Sequence, residues 1–157
     1  MPKVVILMGS RSDLPVAEKG ISILKKFGVD YELYVASAQR TPKRVEEIVM
    51  NSDADIFIAM SGVSAALPGA VASLTTRPVI GVPVSGVLNL DSLLAVIQMP
   101  PGIPVAAVGL DRGDNAALLA VEILSVGKPE FREKMAEYRK EMEKNIIADS
   151  KAVWSNV

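Results

Sequence analysis

The sequence predicts an α/β fold in which a parallel sheet is covered by helices on both faces. Three observations carry that prediction. Short runs rich in β-branched residues alternate with helix-length patterns from residue 3 to residue 126. The runs are apolar at consecutive positions rather than at alternate ones, as in Val4-Val5-Ile6-Leu7-Met8, which is the pattern of strands buried on both faces. Past Gly127-Lys128-Pro129 the composition changes abruptly to alternating charge, marking a separate helical element.

Taken in order, the strands are expected at Lys3–Met8, 31–36, 55–60, 78–82 and 104–108. The helices between and after them are expected at 13–27, 42–51, 64–75, 91–98 and 113–126. The first helix has apolar residues at Val16, Ala17, Ile21, Ile23, Leu24 and Phe27, a 3.6-type face, and Gly28 follows as a C-terminal glycine should. Pro42 suits the first turn of the second helix. Five strands in this alternation describe a doubly wound, flavodoxin-like three-layer sandwich with a central five-stranded parallel sheet. We divide the chain at residues 1–127, the α/β domain, and 128–157, a C-terminal helical extension. In that extension Phe131, Met135, Tyr138, Met142 and Ile146 are spaced three or four apart, one apolar stripe for packing on its own or a neighbouring subunit.

Composition excludes several function classes. Among 157 residues, 17 Lys+Arg against 18 Asp+Glu leave a net charge of −1, which argues against nucleic acid or a membrane surface as partner. With no cysteine and no histidine, thiol nucleophiles, Ser-His-Asp triads and Cys or His metal sites are excluded. Acid–base chemistry must then come from Asp, Glu, Lys or Tyr with a shifted pKa, or from the ligand. Between Ile56 and Leu110 only Arg77 and Asp91 are charged, but prolines and glycines cut this stretch into pieces shorter than the ~20 residues of a membrane span. A cytoplasmic location is expected, since the run after Met1-Pro2-Lys3 is short for a signal peptide. The charge-poor middle also suggests burial in an oligomer.

In open α/β sheets, ligands bind at the carboxyl ends of the strands. Three loops there are small and polar. Gly9-Ser10-Arg11-Ser12-Asp13 brings a glycine, hydroxyls and an acid to a helix start, which suits a phosphate or carboxylate, and is equally an ordinary N-cap by Ser12 or Asp13. Ser37-Ala38-Gln39-Arg40-Thr41-Pro42 adds a planar cationic donor, Arg40, which could instead serve a surface ion pair. The third loop runs from Ser61 through Gly62, Val63, Ser64, Ala65 and Ala66 to Leu67-Pro68-Gly69. None of the three matches a Walker A or GxGxxG fingerprint.

As a set, these loops are distinctive. Gly9-Ser10-x-Ser12-Asp13, Ala36-Ser37-Ala38-x-Arg40-Thr41-Pro42, Leu67-Pro68-Gly69 and the run from Pro78 to Val84 come in order. They are followed by Leu90-Asp91-Ser92-Leu93-Leu94, Gln98-Met99-Pro100-x-Gly102-x-Pro104-Val105 and Asn115-Ala116-Ala117. Over about residues 3–126 the chain resembles the PurE family, purine-synthesis enzymes that place a carboxylate on aminoimidazole ribonucleotide. The resemblance implies flavodoxin-like subunits in a homo-octamer and a reaction that moves the carboxylate of N5-carboxyaminoimidazole ribonucleotide to carbon 4. A related branch uses free CO2. Ser10, Asp13 and Arg40 then resemble substrate-binding residues, Ser12, Ser37 and Ala38 line the same pocket, and Ser61, Gly62 and Leu67 belong to a loop closing over the base and CO2. Gln98, Met99 and Pro100 resemble a segment brought by a neighbouring subunit. No metal or organic cofactor is implied.

The chain departs from the family at two histidines. The family's Ser-Ala-His-Arg-Thr-Pro has Gln39 here, and its Ala-His-Leu-Pro-Gly has Ala66, with Val63 and Ser64 where small glycine or alanine residues are usual. The family histidine carries the proton that must leave carbon 4, and general-base help of that kind contributes ~10²–10⁴-fold. A glutamine amide can hold CO2 or the base but cannot accept that proton usefully. Asp13 is the nearest titratable candidate, so Gln39 and Asp13 are the expected catalytic positions. The alternatives are a different reaction on a related ribonucleotide and a non-catalytic binding or regulatory homologue.

Overall fold

A computed structural model of the protein describes residues 2–155; the ends of the two sequence-defined segments, residue 1 and residues 156–157, lie outside the described residues. The elements run β1 (Lys3–Met8), α1 (Leu14–Phe27), β2 (Asp30–Val35), α2 (Pro42–Met50), β3 (Ile56–Ser61), α3 (Leu67–Ser73), β4 (Val79–Pro83), α4 (Asn89–Ile97), β5 (Ala106–Ala107), α5 (Gly113–Ser125) and α6 (Pro129–Trp154). All strand pairs are parallel, in the order β2-β1-β3-β4-β5. This is the flavodoxin-like arrangement the alternation implies.

The apolar runs explain the layering. Val4 to Leu7 on β1 and Phe57 and Ala59 on β3 have no exposed surface, and β4 is buried throughout. The central strands therefore have no solvent face, whereas β2, an edge strand, is only half-buried. Val4 pairs with Ile56 and Phe57 with Val79, so the carboxyl ends of β1, β3 and β4 finish level with one another. Backbone bonds continue past the strand ends, from the Gly9 amide to the Met60 carbonyl and from the Val84 amide to the Ser61 carbonyl, each 3.0 Å. The loops that follow leave from one shared, rigid edge.

Most elements lie within two residues of their expected bounds, and two are markedly shorter than the sequence reading. The third helix begins at Leu67 rather than 64, because Ser64 lies in the left-handed region at φ 49 and Pro68 sets the first turn. The fifth strand, expected over 104–108, pairs only at Ala106–Ala107. Pro104 has no amide to donate there. Gly28 ends α1 as expected, with φ 71.

The described residues divide into two compact units, one ending at Ala120 and one beginning at Val121. In the second, Arg139 pairs with Glu122 at 2.6 Å. Along α6, Phe131 and Met135 are buried while Met142 and Ile146 are exposed, so the apolar stripe is covered over its first half only. Among the described residues, no helix is long and apolar enough to cross a membrane.

Helices α1 and α5 approach through glycines. A β-carbon on Gly113 would lie 2.0 Å from the Val16 carbonyl oxygen, and one on Gly20 would lie 2.8 Å from the Gly113 carbonyl oxygen. Neither backbone atom can give way without moving a helix. Gly113→Ala is therefore expected to lower stability by about 1–3 kcal/mol or more, read from the urea unfolding midpoint; an unchanged midpoint contradicts this packing.

Candidate functional site

The loops after β1, β2, β3 and β4 enclose a cavity of about 540 Å³. Its lining takes Gly9, Ser10, Ser12 and Asp13 from the first loop, Ser37, Gln39 and Arg40 from the second, Ser61, Gly62 and Val63 from the third, and Val84 and Ser85 from the fourth. A larger cavity of about 780 Å³ lies at the opposite ends of the strands, where Arg77 already donates to the Ser52 carbonyl at 2.6 Å. The cavity at the carboxyl ends is the one that sets a buried carboxyl, Asp13, beside a cation, Arg40.

The first loop folds into a short 3-10 turn, Arg11–Asp13. Ser10 caps it: its Oγ accepts from the Ser12 amide at 3.4 Å, while the Asp13 carboxylate accepts the Ser10 amide at 3.0 Å; Asp13 itself stands at the N-cap position of α1 but makes no side-chain capping bond there. That reciprocal arrangement is a capping box, and it turns the Asp13 side chain back into the loop. Asp13 is 5% exposed. Burial pushes its carboxyl above the ordinary aspartate range, against the Ser10 and Gly9 amides and the Arg40 charge, with the Asp111 carboxylate adding to the rise.

Gly9 and Gly62 let the backbones close in. A β-carbon on Gly9 would sit 3.1 Å from the Ser61 Oγ, and one on Gly62 would sit 3.3 Å from the Val84 carbonyl oxygen. The second loop is held by Ser37 and Thr41. The Ser37 amide donates to the Thr41 Oγ1 at 2.9 Å, and the Thr41 amide returns to the Ser37 carbonyl at 2.9 Å. Arg40 reaches across this turn, donating from Nη2 to the Gly9 carbonyl at 2.9 Å and from Nε to the Ser37 Oγ at 3.3 Å. Among the described residues no carboxylate pairs with it. Its charge stays available to an anion.

Gln39 has a different task. Its Nε2 donates to the Ser64 carbonyl at 3.0 Å and to the Ser64 Oγ at 3.1 Å, tying the second loop to the third. The Ala66 amide donates to that same Ser64 carbonyl. Both oxygens that Gln39 meets are acceptors, so position 39 works here as a donor and a loop tie.

Of the sequence-derived site residues, Ser10, Ser12, Asp13, Ser37, Gln39, Arg40, Ser61 and Gly62 come together at the cavity. Ala38 and Leu67 do not. Ala38 packs against the apolar core below the loop, and Leu67, 1% exposed, is a core residue at the start of α3. Gln98, Met99 and Pro100 are also absent from the lining; Met99 instead lies over Gly69 of α3, its Sδ 3.2 Å from where a β-carbon would stand. Val84 and Ser85 escaped the sequence reading. Their signal was their place just past the fourth strand, at the same carboxyl edge. Among the described residues, no group of three or more His, Cys, Asp or Glu side chains is placed to hold a metal ion.

Comparison with known proteins bears on the chain as a whole. The family model described as AIR carboxylase matches residues 3–145. N5-carboxyaminoimidazole ribonucleotide mutase of Methanocaldococcus jannaschii is 58% identical over 151 residues, 96% of this chain and 96% of that protein. The mutase of the same name from Pyrococcus abyssi is 54% identical over 149 residues, 92% of this chain and 86% of the relative. The crystal structure of Treponema denticola PurE superposes with a TM-score of 0.86 at 33% identity, covering 96% of this chain and 98% of that one.

The Asp13 environment makes a stability prediction. A carboxyl whose folded pKa is raised stabilises the fold while protonated, and that contribution is lost as pH rises from about 4 through the raised folded value. Asp13→Asn is therefore expected to match the parent's Tm near pH 3.5 and to exceed it increasingly toward pH 7. A Tm difference that does not change with pH contradicts the burial of this group.

Proposed function

Since the chain belongs to the AIR carboxylase family, we propose that it converts N5-carboxyaminoimidazole ribonucleotide to 4-carboxyaminoimidazole ribonucleotide in de novo purine synthesis, with Asp13 as the proton carrier. One observation carries the assignment: a buried carboxyl with a raised pKa sits in the same cavity as an arginine that has no carboxylate partner among the described residues. Arg40, with the hydroxyls of Ser10, Ser12 and Ser37, provides donors for an anionic ribonucleotide.

The chemistry follows from the proton balance. Protonated Asp13 gives its proton to N5 as the N5–carboxylate bond breaks, leaving a free amine and CO2. Carbon 4 of the electron-rich ring then attacks the CO2, forming the new carbon–carbon bond. The Asp13 carboxylate takes the proton from carbon 4 and is restored. A raised pKa suits both halves, because the group must be an acid at one moment and a base at the next. Gln39 holds the Ser61–Ala66 loop against the second loop while CO2 is free, and Ser61 and Gly62 face that space.

The same proposal includes a homo-octamer, in keeping with the exposed Val87, Leu88, Leu90 and Ile97 of the charge-poor middle. It treats segment 128–157 as an extension packing on its own or a neighbouring subunit, in keeping with the exposed Met142 and Ile146. It also includes a cytoplasmic location, since a phosphorylated ribonucleotide stays in the compartment that makes it. Val63, 84% exposed at the cavity, favours one second reading: a related ribonucleotide with a different base.

The test is to supply N5-carboxyaminoimidazole ribonucleotide to the purified protein and follow the 4-carboxy product. Turnover above the spontaneous rate is expected, and Gln39→His is expected to raise it by up to ~10²–10⁴-fold by restoring a second base. Ribonucleotide binding with no turnover above the spontaneous rate overturns the mutase reading in favour of a binding homologue.

A further inference from the structure

Asp111 lies just past β5 and has a backbone conformation unlike its neighbours. Its φ is 57, in the left-handed region, where Asp and Asn are tolerated better than other non-glycine residues. It is held at three points. Its amide donates to the Pro83 carbonyl at 2.9 Å, its carbonyl accepts from the Lys19 Nζ at 3.1 Å, and its Oδ1 accepts the Ser85 amide at 2.8 Å. Glycine would meet the backbone demand at this position with less strain. What aspartate adds is an acceptor aimed at Ser85 and a negative charge.

Both additions bear on the cavity. Val84 and Ser85 form its fourth wall, and the Ser85 amide is fixed by Asp111 rather than by the sheet. We propose that Asp111 is a positioning residue for this site, fixing the Val84–Ser85 wall through its carboxylate and placing a second negative charge beside Asp13. The inference rests on the reading of Asp13 as proton carrier. A like charge disfavours ionisation, so Asp111 acts on Asp13 in the same direction as burial. The opposing groups are the Ser10 and Gly9 amides and the Arg40 guanidinium. Around Asp111 itself, Lys19 of α1 engages only the carbonyl, while Arg112, next in the chain, is paired with Asp114.

Two variants separate the wall from the charge. Asp111→Asn keeps an acceptor oxygen and a side chain suited to the left-handed backbone, but removes the charge. Asp111→Ala removes both. The readouts are the Asp13 carboxyl titration, followed by carbon-13 NMR, and the affinity for aminoimidazole ribonucleotide. In Asp111→Asn the Asp13 midpoint is expected to fall while affinity stays close to the parent's. In Asp111→Ala affinity is expected to fall severalfold as well. An unchanged Asp13 midpoint in Asp111→Asn overturns the electrostatic half, and parental affinity in a folded Asp111→Ala overturns the positioning half. If the parent binds no ribonucleotide, the proposed function fails, yet the Asp13 midpoints still decide the role of Asp111's charge.

Discussion

Keeping the Asp13 carboxyl out of water at the end of β1 is the condition on which the whole cavity depends. A carboxylate taken from water without compensation is strongly disfavoured, so the group must be partly protonated, partly hydrogen-bonded, or both. Here the Ser10 amide reaches it at 3.0 Å through the capping box. That bond requires Gly9 to pass close to Ser61, where any β-carbon would stand 3.1 Å from the hydroxyl oxygen. Ser61 in turn is placed by the pairing of β1 with β3 and of β3 with β4. Sheet register, glycine, cap and titratable group form one chain of dependence, and moving any link exposes or orphans the carboxyl.

The second loop shows how one turn can hold a cation and tie two loops together. Arg40 and Ser37 serve as donors and acceptors within it, and Gln39 stands where the resemblance to the PurE family implies a histidine. A glutamine cannot shuttle a proton near neutrality, but its Nε2 can bind two oxygens of Ser64 at once. Ser64, at φ 49, turns the third loop toward that amide and delays the start of α3 to Leu67. Gln39 and Ser64 thus act as a pair, a donor and a doubly accepting residue. Under the proposed mechanism, proton handling falls to Asp13, the one buried carboxyl among the described residues.

Much of this was legible in the sequence, for physical reasons. Consecutive apolar runs place strands reliably because only doubly covered strands can be apolar at every position. Gly28 and Pro42 mark helix ends through backbone constraints that act locally. The cavity-lining residues of the first three loops were legible because they sit immediately after strands, where the fold itself aims them. What escaped the reading depends on contacts distant in sequence. Val84 and Ser85 become a wall only because β4 lies beside β3, and Asp111 reaches Ser85 across 26 positions. Ala38 and Leu67 belong to motifs whose other members face the cavity, yet their own side chains point into the core. A motif lists neighbours in the chain, whereas a cavity selects by direction.

The central claim is that Asp13 carries the proton in place of histidine. The most direct test is the rate of 4-carboxyaminoimidazole ribonucleotide formation by Asp13→Asn beside the parent, near pH 7, with ribonucleotide binding measured on the same samples. A fall of about 10²-fold or more with the ribonucleotide still bound is the predicted result. A parental rate in Asp13→Asn contradicts the account.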